Sequence, residues 1–457
     1  MPQRPKLTRR GFLKTTTAAA AMSMSASSYA RIMGAGARLN IAYIGVGGIA
    51  GGQHIGPLAK LGAGCPAYCD VDTDRWGNCA DRWPEAKGYT DYRKMFDAHE
   101  KDIDAVMIGT PDHQHYPATI QAMMRGKHVY TQKPLTHTPW ESRQLSLAQE
   151  KTKLATQMGN QGHASDGLRG TIDFLRSGAI GDLLEAHVWT NRPIWRQGMA
   201  VPEGGQEIPE NLDWDSWIGP AKTRSFHHDP ADGWGGFYHP FNWRGFWDFG
   251  CGALGDMACH NLDPLYWAME PGYPTEIELM DGEAFGDAPM YVQNTTVRFH
   301  FPADGERPAF DTYWHDGGNR PERPEELPEG ENLPNQGALY IGTEGKLYAK
   351  GDSRNWPKLL PESKNKEYGR PEQQIERSAD GHHKEWYLAC TEDKPYDFPK
   401  SNFSYAAPFT EMILLGCIAQ RVGGKLPYDP EKMTFEGRDD ATALITKEYR
   451  EGWDFRL

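Results

Sequence analysis

Short apolar runs alternating with helix-period stretches fill the first third of the chain. Leu39-Asn40-Ile41-Ala42-Tyr43-Ile44 is the first run and ends at Gly45. Cys65 to Cys69 is the second, ending in Asp70. Asp104-Ala105-Val106-Met107-Ile108-Gly109 is the third, closed by Thr110-Pro111, and Lys127-His128-Val129-Tyr130 is the fourth. Runs this short, bounded by Gly, Pro or Asp, read as buried strands. Residues 113–125 and 140–153 read as helices between and after them. Strand–helix alternation implies a parallel sheet. An α/β domain of doubly wound Rossmann type is therefore predicted over 38–160.

Past residue 160 the pattern changes. A second domain is predicted over 161–400, its sheet opening at Gly181 to Trp189. Further strands are expected at 275–280, 291–301, 309–314 and 338–349. Trp314-His315-Asp316-Gly317-Gly318 ends one of them, within reach of a cleft. Residues 192–247 form a long loop-rich insertion, and eight of the fifteen tryptophans fall between Trp189 and Trp267. Aromatic faces with interleaved polar groups suit sugar rings, although core and subunit packing accounts for half of these tryptophans equally well. Arg192, Trp195, Trp243 and Arg244 are the substrate-side candidates. Residues 320–335, rich in Pro and Glu, predict a solvated loop. His382-His383 opens a predicted helix through Cys390, either capping the site or lying on the surface. Phe409 to Val422 predicts a last apolar helix, within a helical segment 401–457 that packs back on the body.

Composition narrows the class. A chain of 457 residues holds two or three domains. A formal charge of −13 without a basic patch argues against a nucleic-acid partner. No run reaches the roughly 18 apolar residues of a membrane span. The seven cysteines form no paired CxxC motifs and mostly sit in apolar stretches, so buried thiols are expected.

The first thirty residues read as an address. Thr8-Arg9-Arg10-Gly11-Phe12-Leu13-Lys14 is a twin-arginine motif, followed by an Ala-rich run and by Ser28-Tyr29-Ala30 as a cleavage site. Periplasmic export is the expectation, and residues 1–30 are set aside from the fold.

The chemistry begins at the first strand end. Gly45-Val46-Gly47-Gly48-Ile49-Ala50 is G-x-G-x-x-A. Gly45 permits the tight turn, Gly47 the approach of a pyrophosphate, and Ala50 close helix–strand packing. A helix should follow, its N-terminus toward the phosphates. Asp70, about 20 or so residues on, is placed to hydrogen-bond the adenine ribose and would repel a 2′-phosphate, which favours NAD over NADP. Thr110 and Lys133 should face the same crevice. Near the middle of the chain, Phe249-Gly250-Cys251-Gly252 leads into a helical pattern in which Asp256, His260 and Asp263 share a face. A carboxylate beside an imidazole suits a general base; a buried, satisfied histidine is the plainer alternative. No zinc-hydrolase motif accompanies the pair, and no metal is expected.

At these motifs the chain resembles the glucose–fructose oxidoreductase, inositol dehydrogenase and MocA (Gfo/Idh/MocA) family. The resemblance spans about residues 38–455. It rests on the Gly45 loop, on Thr110-Pro111-Asp112-His113-Gln114-His115, on Gly126-Lys127-His128-Val129-Tyr130-Thr131-Gln132-Lys133-Pro134-Leu135, and on the Asp256–His260 pair. It implies a Rossmann domain followed by an α/β domain with a large open, mostly antiparallel sheet. It further implies Lys133, Asp256 and His260 as catalytic residues, and NAD contacts from Gly45, Gly47, Gly48, Ile49, Ala50, Asp70, Thr110, His115, Lys133 and Gln161. A carbohydrate substrate and a homo-oligomer are the expected partners. The family includes NAD-dependent glycosidases, so hydride transfer at a sugar alcohol and glycoside cleavage by transient oxidation both stay open, with a non-catalytic sugar binder as a remote third reading. One departure stands out: Gln132 occupies the place where the family usually has Glu, which alters a cofactor contact and leaves the Lys133 ammonium in place.

Overall fold

The computed structural model describes residues 38–229 and 236–456. The twin-arginine segment lies outside the described residues. Six strands form the first sheet: β1 (Ile41–Ile44), β2 (Ala67–Cys69), β3 (Lys87–Tyr89), β4 (Ala105–Ile108), β5 (His128–Thr131) and β6 (Thr156–Met158). Their order is β3-β2-β1-β4-β5-β6, and every pairing is parallel. The four predicted strands are present. The residues of β1, β2 and β4 are fully buried, because helices cover both faces of a parallel sheet. The chain reverses direction in the sheet between β1 and β4. That switch point is where such folds bind ligands, outside the strand C-termini.

Nine strands form the second sheet: β7 (Leu183–Trp189), β8 (Glu276–Asp281), β9 (Thr296–Phe301), β10 (Phe310–His315), β11 (Gly337–Gly342), β12 (Lys346–Lys350), β13 (Lys358–Leu360), β14 (Lys425–Asp429) and β15 (Thr434–Phe435). The order is β13-β12-β11-β7-β10-β9-β8-β14-β15. Only β7 and β10 run parallel; the other pairs are antiparallel. The run read as one strand over 338–349 is two, β11 and β12, joined by a turn at Thr343-Glu344-Gly345. The terminal segment is more than a helix returning to the body. Helix Phe403–Val422 ties both halves, through an Arg143–Glu411 ion pair of 2.6 Å and a Gln420–Thr295 hydrogen bond of 2.7 Å. The chain then supplies β14 and β15 to the large sheet itself.

The insertion 192–247 builds a small aromatic core of its own. Trp214 and Trp217 stack at 4.6 Å, with Phe226, Tyr238, Phe246 and Phe249 around them. Trp189 is buried against Leu327, Leu333 and Tyr348, so the predicted solvated loop over 320–335 has two inward leucines. All seven cysteines are buried and unpaired. No helix among the described residues is long and apolar enough to cross a membrane.

Candidate active site

Five strand ends open into one crevice of ≈ 520 Å³. Its walls include Gly45 after β1, Asp70 after β2, Thr90 after β3, Thr110 after β4 and Lys133 after β5. The second domain contributes Trp217, His239, Phe241, Trp243, Arg244 and Asp256. Ten predicted site residues thus share one cavity: Gly45, Gly47, Gly48, Ile49, Asp70, Thr110, Lys133, Trp243, Arg244 and Asp256.

Gly45 makes the tight turn that the sequence suggests. Gly45 has φ +76°, and a Cβ there would lie 2.7 Å from the Gly109 carbonyl carbon. Asp70 is fixed by backbone donors: Val46 N at 2.8 Å and Gly47 N at 3.2 Å to one oxygen, Asp72 N at 3.0 Å to the other. Arg75, the nearest arginine, is paired with Asp72 at 3.2 Å. A cation so engaged is a poor receptor for a 2′-phosphate. The cavity fits a dinucleotide on a further observation: Thr110 Oγ1 is buried on its wall without a partner, the kind of orphan a ligand satisfies.

At the other end of the crevice Lys133 meets the second domain. Its Nζ donates to the Asp256 carboxylate at 2.8 Å and to the Asp256 carbonyl at 2.9 Å. Arg244 Nε donates to the same carboxylate oxygen at 3.3 Å, and its guanidinium lies over Trp243 and Phe241 at 4.2 and 4.3 Å. Burial acts to raise the Asp256 carboxyl, but Lys133 and Arg244 outweigh it and hold it at about 2. The expected Asp256–His260 contact is not made. They share a face of helix Gly252–Asn261, but the carboxylate turns to the two cations, which outbid a neutral imidazole. Burial, followed by the Lys133 ammonium, pushes His260 down to about 3, so it is a neutral imidazole at ordinary pH. Asp263 leaves that face because the helix breaks at Leu262; it bonds His163 at 2.9 Å in a buried network with Asn160 and Tyr405.

Other predicted residues, His260 among them, stand off the wall. Ala50 is buried directly behind Gly109. His115 lies beneath the site with Nδ1 2.7 Å from the Pro134 carbonyl and Nε2 2.9 Å from the Thr110 carbonyl, its single N–H donating to one of the two. Gln161 bonds Gln53 and His54. Trp195 is buried, its indole N–H on Gln197 at 2.8 Å, and Arg192 bonds its neighbour Asn191 at 3.0 Å; neither lines the crevice.

Several residues of the site were not singled out from sequence. Asp112, inside the Thr110–His115 motif, accepts from Cys251 N at 3.1 Å, and burial pushes its carboxyl up to about 7 against the pull of Arg244. His239 Nε2 sits 2.9 Å from Asp72. Around that contact the insertion straps across the ribose end. Asp213 N bonds Val71 O at 2.8 Å, Thr73 N bonds Asn211 O at 2.9 Å, and Gln114 bonds Ser216 O at 2.8 Å.

Fold and crevice together define a two-domain dinucleotide-binding protein with a cation held between the domains. Residues 39–160 match an oxidoreductase family's NAD-binding Rossmann fold, and residues 189–455 match that family's C-terminal alpha/beta domain. The chain belongs to the Gfo/Idh/MocA oxidoreductase family. It is 29% identical over 153 residues to the inositol 2-dehydrogenase of Salmonella typhimurium, covering 33% of this chain and 45% of that one. It is 31% identical over 157 residues to the alpha-N-acetylgalactosaminidase of Shewanella oneidensis, covering 32% of this chain and 33% of that one. The chain thus matches less than half the length of these curated relatives. In structure it is similar to the WlbA dehydrogenase of Bordetella pertussis, solved with NADH and UDP-GlcNAcA. The TM-score is 0.58 at 15% identity, covering 86% of this chain and 98% of that one; identity so low speaks for the fold alone.

Proposed function

We propose that this protein is an exported, NAD-dependent oxidoreductase acting on a secondary alcohol of a sugar, polyol or glycoside, and that it keeps its cofactor through the cycle, the hydride returning to the same substrate or passing to a second sugar. The observation that carries the reading is the Lys133 ammonium, pinned by Asp256 where the cofactor crevice meets the second domain. Bound NAD supplies the hydride acceptor. An ammonium has three donors; Asp256 takes two of the Lys133 set, and the third is free for the substrate oxygen. Lys133 then stabilises charge as it grows on that oxygen. His260, neutral, takes the hydroxyl proton. Gly45–Ile49 and Asp70 hold the pyrophosphate and adenine ribose, and Arg244 with Trp243 shapes the sugar side.

The contacts of Asn211, Asp213 and His239 support retention, because they bond the loop that carries the ribose-binding Asp70. Retention favours a second reading beside simple dehydrogenation. In a glycosidase cycle, oxidation to a ketone acidifies a neighbouring C–H bond, the aglycone leaves by elimination, water adds across the resulting double bond, and the hydride returns to the carbonyl. The glycosidase among the relatives supports this alternative.

Denaturing the purified protein and identifying the released nucleotide, followed by assay on free sugars, polyols and aryl glycosides, tests the reading. Stoichiometric NAD(H) with turnover of one class is expected; protein without nucleotide and without turnover refutes it. Export rests on the twin-arginine motif. Replacing Arg9 and Arg10 by Lys should keep the precursor in the cytoplasm, and unchanged export would contradict the assignment.

A further inference from the structure

The chain after the glycine loop passes through a widened helical turn, Ala50–His54, before helix Ile55–Lys60. Such π-turns shift a side chain off the regular helical register. Here the last residue of the turn, His54, is fully buried. Its Nε2 lies 2.7 Å from Gln132 Nε2 and 3.3 Å from Gln161 Nε2. Its Nδ1 lies 2.7 Å from His383 Nε2. One imidazole therefore joins four segments: the glycine-loop helix, the Gln132–Lys133 turn, the Gln161–Ala164 turn and helix His382–Cys390. The Gln132 amide packs against Gly159, where a Cβ would collide with it.

The donor count fixes the direction. Amide nitrogens only donate, so His54 Nε2 carries the lone pair and Nδ1 the proton. That proton goes to His383 Nε2, leaving His383 Nδ1–H to face outward. Burial, with His383 adding to it, pushes His54 down to about 3, and burial pushes His383 to about 4, so both rings stay neutral. A carboxylate at position 132 can only accept, so the ring would carry its proton on Nε2, the direction of the chain would reverse, and a charge would be buried there. A neutral amide completes the chain without charge.

We propose that His54 is a positioning residue: it locks the loop that holds the cofactor's pyrophosphate to the turn that carries Lys133, and Gln132 rather than Glu stands at that turn because the lock is uncharged. The inference rests on the reading of Lys133 and the glycine loop given above.

Two measurements test it. In wild-type protein, ¹⁵N shifts of the His54 ring should report the neutral Nδ1–H form from pH 5 to 8. The titratable groups facing that ring are His383, Tyr130 from β5 and, behind them, His382. His54→Phe keeps bulk and loses the acceptor; it should speed NADH release and lower kcat, each on the order of tenfold, as a small misplacement of reacting groups does. His54→Gln puts an acceptor back toward Gln132 and should restore both. An Nε2–H ring, or unchanged NADH release in His54→Phe, overturns the proposal; so does a kcat loss that His54→Gln does not restore and that follows Tm. Should His54→Phe not fold, the wild-type tautomer still decides. If no sugar or glycoside is turned over, the functional reading fails, while ring tautomer and NADH release still judge His54.

Discussion

Lys133, Asp256 and Arg244 set the chemistry at the level of single side chains. The carboxylate is shared by two cations and held at about 2, so it stays ionised across the working range and keeps Lys133 in place. Lys133→Ala removes the charge that meets the substrate oxygen, and His260→Ala removes the base. Each should lower kcat on the order of 100-fold, the usual scale for such groups, while NAD binding survives in the His260 variant. A change confined to KM would make His260 a binding residue only. Its pH behaviour follows from burial: with the ring held near 3, kcat should show no acid limb between pH 7 and 5, where an ordinary imidazole would protonate. Asp70→Ala should weaken NAD and narrow its advantage over NADP in competition binding; equal affinities in the unmodified protein would contradict the role given to Asp70. These residues were legible in the sequence where a short motif fixes the geometry, as at Gly45, Asp70 and Lys133. The partner of Asp256 was not. Spacing put His260 beside it, but the choice between a neutral imidazole and two cations is made by chain segments 123 residues apart and by a nearby turn.

Within the insertion, Asn211, Asp213, Ser216 and His239 strap the second domain to the Rossmann domain beside the crevice. The insertion's tryptophans looked like a sugar platform in the sequence. Trp214 and Trp217 instead stack on each other inside an aromatic core, because a loop-rich insertion needs its own core to hold a shape; of the insertion's tryptophans among the described residues, Trp217 and Trp243 reach the cavity wall. The strap's grip on the Rossmann domain rests on Asp72, which accepts from Asn211 at 2.8 Å and pairs with His239 at 2.9 Å. His239 is 167 residues away in the chain, a pairing no local pattern announces. Asp72→Asn should leave Asp70 in place yet speed NAD release several-fold in stopped-flow fluorescence. Unchanged release would remove the strap from the account of retention. The parallel sheet, by contrast, was readable from alternation alone, since strands buried on both faces are continuous apolar runs.

Across the whole molecule the buried histidines form a common acid sensitivity. Burial holds His54, His113, His260 and His315 near 3, and His115 and His128 near 4. The unfolded chain binds protons at these groups from about 6.5 downward, and the native state refuses them. Stability is therefore unaffected by them above about 6.5 and falls as pH drops toward 4, by about 1.4 kcal/mol per proton per pH unit. Denaturant midpoints measured from pH 7.5 to 4.5 should decline; a flat profile would mean these rings are protonated in the native state. They are spread over both domains: His54, His113 and His115 lie behind the crevice, His128 at the start of β5 and His315 in the large sheet. Retention of the cofactor is the central claim. The most direct test mixes the purified protein, with no added NAD, with a turned-over glycoside, or with a sugar and a second sugar to accept the hydride, and follows nicotinamide fluorescence and product together. Retained cofactor predicts product well beyond the enzyme concentration while NADH never exceeds it. Product that stops after one equivalent and resumes only with added NAD, one NADH per turnover, would contradict the account.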